Sequence, residues 1–298
     1  MRKSYIWREN LPYEFDEKNN CWKFTHGTQV IKTESWIDLP SPPKPSGIQI
    51  SVVIVNWNRP LNVVESSIAS VLNQDFPPEN FEVILVDDAS ELSPKPVCLD
   101  ILREYPNHNF RAYLLNRTRS WNCGHVYNVG FKRALGWIVA MLHSDSVFDD
   151  APERALNDSY PRQPVLEGMW RHHNARDRLA LSPRMLWMPK ENEYKPWYYF
   201  PHCQGLSLRK AYVEAVHGVT EKRCDEPLLD FLIRLMVFNI KITEDVNIQV
   251  IHRNYMLPKN LLEVPSVVRP PPPNASYPDW PNEWGEITEN EEKNILEV

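Results

Sequence analysis

Two nearly uninterrupted apolar runs, Ile50–Val55 (ISVVIV) and Phe81–Val86 (FEVILV), constrain this chain more than any other feature. A strand with one wet face alternates polar and apolar residues. These runs do not alternate, so they read as strands covered on both faces, the signature of a parallel sheet packed between helices. The residues between them complete the unit. Asn56–Pro60 is a polar loop, and Pro60 suits the first turn of a helix. Val63, Ile68, Val71 and Leu72 then recur at roughly helical spacing. The second run ends in two adjacent carboxylates, Asp87 and Asp88. They stand just past the carboxyl end of a parallel strand, where open α/β sheets bind ligands.

The same pattern extends outward. Phe110–Leu115 reads as a third strand, Gly136–Val147 as a buried strand running into polar residues, and Val246–Ile251 as the last strand of the core. Ahead of the core, Phe15–Phe24 has aromatic ends around Glu17–Asn20 and reads as a β-hairpin. Leu39–Gly47 (LPSPPKPSG) is a proline-rich linker. From Pro258 the chain becomes proline-rich and acidic, a composition suited to an extended surface tail. The expected organisation is therefore an extension and linker over 1–47, a core over 48–257 and a tail over 258–298.

Composition removes several classes. A net charge of −6 over 298 residues gives no global basic field for nucleic acid. The five cysteines are scattered with no CxxC pair, which argues against a zinc ribbon or a dithiol redox site and fits reduced thiols in the cytoplasm. MRKSYIWREN has no apolar signal core, and Leu135–Leu142, the longest apolar run, is far too short to cross a bilayer. A cytoplasmic protein with no transmembrane segment is the expectation.

Several short elements then occur in a fixed order. Ser51–Arg59 (SVVIVNWNR), Ser70–Gln74 (SVLNQ) and Glu82–Ser90 (EVILVDDAS) resemble the glycosyltransferase family 2 pattern SVVIPTYNR, SLLxQ, EIIVVDDGS. Asn122–Ala134 (NCGHVYNVGFKRA) is similar to the family's NxGxxxARNxGxxxA helix, with Val126 and Tyr127 where the family has Ala-Arg. His143-Ser144-Asp145 stands where the family carries its DxD motif, with His in place of the first Asp. Pro201–Val219 resembles GGxxLxRRxxFExxGGF, with Cys203-Gln204 in place of the small pair. Glu221–Leu235 resembles E…EDxDLxxRL, with the acidic pair shifted by one residue to Asp225-Glu226.

The resemblance implies a GT-A fold: a Rossmann-like, mostly parallel central sheet flanked by helices, here with the hairpin in front and the acidic tail behind. It also implies that 48–257 is the catalytic core, with 48–147 its nucleotide-sugar half and 148–257 its acceptor half. It implies a nucleotide-sugar donor, UDP-linked because UDP is the commonest nucleotide in the family, and a Mn2+ or Mg2+ ion that neutralises the departing diphosphate. Asp145 and His252 are the implied metal ligands. Asn56, Asn58, Arg59, Asp87, Asp88, Gly124, Asn128, His143, Ser144 and Arg253 are the implied donor contacts, with small residues at the helix start allowing close approach. In inverting members a carboxylate near the start of the last helix deprotonates the acceptor, which points to Asp225 or Glu226, with Asp230 as a third option. Both would also complement a helix that starts at Pro227.

The acceptor is left open: a glycan, a lipid-linked sugar or a modified nucleobase. Three other readings stand beside the inverting enzyme. They are a retaining polypeptide N-acetylgalactosaminyltransferase-like enzyme, a glycosyltransferase acting on hydroxymethylated bases of DNA, and a nucleotide-sugar-binding module without turnover. The aromatic residues Trp170, Trp187 and Trp197–Phe200 fall where the family diverges to fit acceptors.

Overall fold

The computed structural model describes residues 13–16, 21–24, 30–32, 47–116, 121–148, 164–190, 193–196, 204–221, 227–238, 240–253 and 295–296. β1 (Tyr13–Asp16), β2 (Cys21–Phe24) and β3 (Val30–Lys32) form a small antiparallel sheet. The expected hairpin is β1–β2, with Tyr13 opposite Phe24 and Asp16 opposite Cys21. β3 adds a third strand, only three residues long and with two apolar residues, Val30 and Ile31.

The core follows as β4 (Ile50–Asn56), α1 (Leu61–Leu72), β5 (Phe81–Asp87), α2 (Lys95–Glu104), β6 (Asn109–Leu114), α3 (Cys123–Arg133) and β7 (Ile138–His143). β4 pairs in parallel with β5 on one side and β7 on the other, and β5 pairs in parallel with β6. The second half is β8 (Ser146–Phe148), α4 (Val165–Ala175), β9 (Leu179–Lys190), β10 (Glu193–Pro196), β11 (Ser207–Arg209), α5 (Lys210–Ala215), α6 (Pro227–Val237) and β12 (Lys241–Arg253), with β13 (Ile295–Leu296) against β6. All these strands belong to one sheet, ordered β13-β6-β5-β4-β7-β11-β9-β12-β8, with β10 on β9. β11 runs antiparallel to both β7 and β9, while β9 and β12 are parallel. The last strand is longer than its apolar run because Lys241–Asp245 already pair with Leu179–Pro183 before an irregularity ahead of Gln249.

The absence of alternation in the strands has a direct explanation. Every residue of β4 and of β5 is buried. Ile50, Val52 and Ile54 pack on one layer with Val64, Ile68 and Val71 of α1. Val53 and Val55 pack on the other with Val126, Tyr127 and Val129 of α3. Each fully buried Val or Ile contributes about 1.5–3 kcal/mol. The two layers therefore hold the central strands from both sides, and their carboxyl ends, Asn56, Asp87 and His143, emerge along one edge.

Candidate active site

That edge is knitted by side chains. Asn56 donates from Nδ2 to Asp87 Oδ1 at 2.6 Å and accepts at Oδ1 from Ser144 Oγ at 2.6 Å. Ser90 closes onto Asp87 through its backbone N–H at 3.0 Å and its hydroxyl at 2.6 Å. Asn58 is fixed by Ser90 Oγ, which accepts from its backbone N–H at 2.8 Å, and by Glu91, whose backbone N–H donates to Asn58 Oδ1 at 2.8 Å. Asn58 and Ala89 both take left-handed backbone, φ 51° and 55°. Asn tolerates that region through local hydrogen bonding, whereas Ala89 occupies a position where the family pattern has glycine. The turn after β5 thus stores strain beside a polar site, a common feature of functional loops.

The adjacent carboxylates Asp87 and Asp88 diverge because successive residues of a strand point to opposite sides. Burial raises Asp87 above the usual carboxylate range, although the hydrogen bonds from Ser90 and Asn56 oppose it. The same burial, with the Asp87 charge nearby, pushes the Cys98 thiol up to about 12, so Cys98 is unreactive packing. Asp88 accepts at Oδ2 from the backbone N–H of Asn122 at 2.9 Å, which ties it to the start of α3.

The turn between β7 and β8 presents His143, Ser144 and Asp145. Asp145 is nearly fully buried, and Arg59 Nη2 lies 2.8 Å from its Oδ2. Its Oδ1 has no hydrogen-bond partner and faces His252 Nε2 at 3.7 Å. The backbone N–H of Arg253 donates to the Asp145 carbonyl at 2.9 Å, so β12 delivers His252 and Arg253 to the same turn. Ser146 is held from both sides, by Ser67 Oγ donating to its carbonyl at 2.7 Å and by its own hydroxyl donating to Gln204. Desolvation lowers His143 to about 4, opposed by Asp145 and reinforced by His252 and Arg59. Desolvation also lowers His252, opposed by Asp145. Both imidazoles are neutral at pH 7, the form that donates a lone pair to a metal. An orphaned buried carboxylate oxygen beside a neutral imidazole is a donor set that fits one divalent cation. Among the described residues, no cluster of three or more His, Cys, Asp or Glu side chains stands ready for a metal. Mg2+ and Mn2+ sites of this class need no more, because phosphates and water complete them.

α3 is tied to the segment 219–221. Gly124 leaves no room for a side chain: a Cβ there would lie 2.0 Å from the Thr220 carbonyl oxygen. Asn128 is fully buried and grips Val219 twice, donating to its carbonyl at 2.7 Å and accepting from its N–H at 2.8 Å. It also donates to Glu221 Oε1 at 2.8 Å, while His125 Nδ1 meets Oε2 at 2.9 Å. Asn122 caps α3 by accepting from the His125 N–H at 3.1 Å and donates to the Glu221 carbonyl at 3.0 Å. Gly124 and Asn128 therefore strap residues 219–221 onto the helix. Asp225 and Glu226 lie outside the described residues, between this strap and α6, which does open at Pro227. Asp230 is engaged by Arg234, with Nε donating to Oδ2 at 2.9 Å and Nη2 lying 2.8 Å from the same oxygen, an intrahelical ion pair. Trp197–Phe200 and Cys203 also lie outside the described residues.

Two features went unread in the sequence. Glu221 is a clamped carboxylate, and the only hint was its place at the head of the acidic motif. Trp57 and Trp121 stack with centroids 5.8 Å apart and planes at 17°. Trp57 is well exposed beside the strand ends, and only its position inside the SVVIVNWNR element singled it out.

The sequence model of a family described as glycosyl transferase family 2 matches residues 51–199. A minor teichoic acid biosynthesis protein, GgaB of Bacillus subtilis (strain 168), is 27% identical over 171 residues, covering 54% of this chain and 18% of that protein. The chain thus spans about a fifth of the length of this curated relative. The fold is shared with S. aureus TarS in complex with UDP-GlcNAc, at a TM-score of 0.50 and 19% identity over 70% of this chain and 60% of that one. It is also shared with the mannosyltransferase PcManGT from Pyrobaculum calidifontis in complex with GDP-Man and Mn2+, at a TM-score of 0.52 and 14% identity over 73% and 60%.

Proposed function

The chain belongs to glycosyl transferase family 2, and from that premise we propose that it moves a sugar from a UDP-sugar to a hydroxyl of a glycan acceptor, with inversion and with a divalent cation. The observation that carries the reading is Asp145: a buried carboxylate at the β7–β8 turn, with one oxygen on Arg59 and the other orphaned before a neutral His252. Binding of UDP-GlcNAc by TarS and of GDP-Man with Mn2+ by PcManGT supports a nucleotide-sugar donor. The teichoic acid relative favours a surface glycan polymer as acceptor.

In this reading residues 48–257 form the catalytic unit. Asp145 and His252 would hold the cation, whose charge would offset that of the departing diphosphate. Arg59 and Arg253 take diphosphate oxygens, for which a guanidinium fork is well shaped. Asp88, with Asn122 fixing its orientation, hydrogen-bonds the nucleoside, while Asn56, Asp87 and Ser144 keep the strand ends rigid. Asp225 or Glu226 takes the acceptor proton as the acceptor oxygen attacks the anomeric carbon opposite the diphosphate. The Glu221 strap and Pro227 bracket these two residues in sequence.

Isothermal titration with UDP, GDP, CDP and dTDP, each with Mn2+ and with EDTA, tests the donor site. UDP binding that collapses in EDTA and in Asp145→Asn supports it. Binding of no nucleotide under any condition would remove the donor assignment.

A further inference from the structure

Asp145 is almost fully desolvated, with its side chain 5% exposed, whereas the Arg59 side chain paired with it is 31% exposed. A buried carboxylate is costly without a positive partner. His252 Nε2, at 3.7 Å from Oδ1, is beyond hydrogen-bond reach. The guanidinium at 2.8 Å from Oδ2 therefore supplies the compensation. Arg59 sits just before Pro60 and the first turn of α1, in the loop whose other members, Asn56 and Asn58, are tied down by hydrogen bonds to Asp87, Ser90 and Glu91. Hydrogen bonds thus anchor the loop, and the partly exposed Arg59 side chain reaches from it to Asp145.

We infer that Arg59 is a resident counter-ion which Asp145 exchanges for the divalent cation, and that the released guanidinium then takes the donor's diphosphate. The inference rests on the metal reading given above. Two cations on one carboxylate repel, so Arg59 opposes metal entry as long as no anion offers it a better partner. A diphosphate offers a bidentate partner that a guanidinium favours over a single carboxylate oxygen. Arg59 thereby couples the two ligands. The cation binds weakly to the nucleotide-free protein, each ligand tightens the other by the same factor, and Asp145 is never left uncompensated.

Mn2+ binding, read as loss of the free-ion signal in electron paramagnetic resonance, tests this with and without UDP. Without nucleotide, Arg59→Gln is expected to bind Mn2+ on the order of tenfold more tightly than the unaltered protein, and UDP is expected to enhance Mn2+ binding far less in the variant. Thermal unfolding gives a second readout. In EDTA the variant melts lower, and Mn2+ restores more of its melting temperature than it adds to the unaltered protein. If Arg59→Gln does not fold, Arg59→Lys is expected to show a smaller change of the same sign. Mn2+ binding that vanishes in Asp145→Asn yet is unchanged or weaker in the Arg59 variants overturns the exchange and leaves the metal site standing. Mn2+ binding unaffected by Asp145→Asn overturns both.

Discussion

Replacing His173 by Gln should flatten part of the acid dependence of stability, and the size of the effect follows from its surroundings. His173 lies on α4 with no exposed surface. Its Nε2 is 2.9 Å from Ser207 Oγ of β11, and its carbonyl accepts from Arg209 Nη2 at 3.0 Å. Burial, followed by the charges of Arg209 and His172, lowers it from 6.5 to about 3. The sign follows from proton counting. Above pH 6.5 the imidazole is neutral in both states and adds no pH dependence. Between 6.5 and about 3 the unfolded chain takes up a proton that the folded protein refuses, so stability falls as the solution is acidified. At pH 5 the loss from this one group is about 2 kcal/mol. Gln can still hydrogen-bond Ser207 but cannot titrate, and it carries a roughly constant cost of about 1–3 kcal/mol at every pH. Urea unfolding at pH 7 and pH 5 measures the difference directly. The other titrating groups, His143 and His252 among them, contribute equally to both proteins and cancel. Wild type should lose about 2 kcal/mol more than His173→Gln between the two pH values. Equal losses would refute the claim that His173 is a buried neutral imidazole.

Two further outcomes follow from the site. Gly124→Ala should cost about 2–3 kcal/mol in chemical unfolding, because the new Cβ must displace the Thr220 carbonyl, and overpacking of that kind is expensive; a variant as stable as wild type would show that the strap is loose. Trp57→Ala should weaken UDP binding about tenfold in calorimetry if the exposed indole stacks on the base, since such stacking is worth about 1–3 kcal/mol; unchanged affinity would assign the Trp57–Trp121 pair to packing alone.

Legibility in the sequence depended on range. The parallel strands were plain because Ile50–Val55 and Phe81–Val86 lack alternation, and that lack is a local consequence of burial on two faces. The glycine and asparagine of α3 were visible as small and polar positions, but their grip on residues 219–221 was not. Their partners, Thr220, Val219 and Glu221, lie more than ninety residues away in sequence, and no local pattern reports such a pairing. The same applies to Arg59, whose position at a helix start gave no sign that it would pair with Asp145. Asp87 and Asp88 look equivalent as letters and differ only once strand alternation sends one into the Asn56–Ser90 lattice and the other toward Asn122. The cluster of buried Arg209 and Tyr212 around the exposed Asp177, with the Arg209 guanidinium over the Trp137 ring at 4.5 Å, lies near the amino end of β7, far along the strand from the site. Its residues carried no functional signal because their work is to join β11 to α4.

β7 has parallel β4 on one edge and antiparallel β11 on the other, so it is the hem along which two differently woven fabrics are sewn. Sliding it by a single residue would turn Val139 and Met141 into the layer of α1, and would carry His143 and Asp145 off the line they share with His252. Length changes between 138 and 148 should therefore be purged in any lineage that keeps the chemistry.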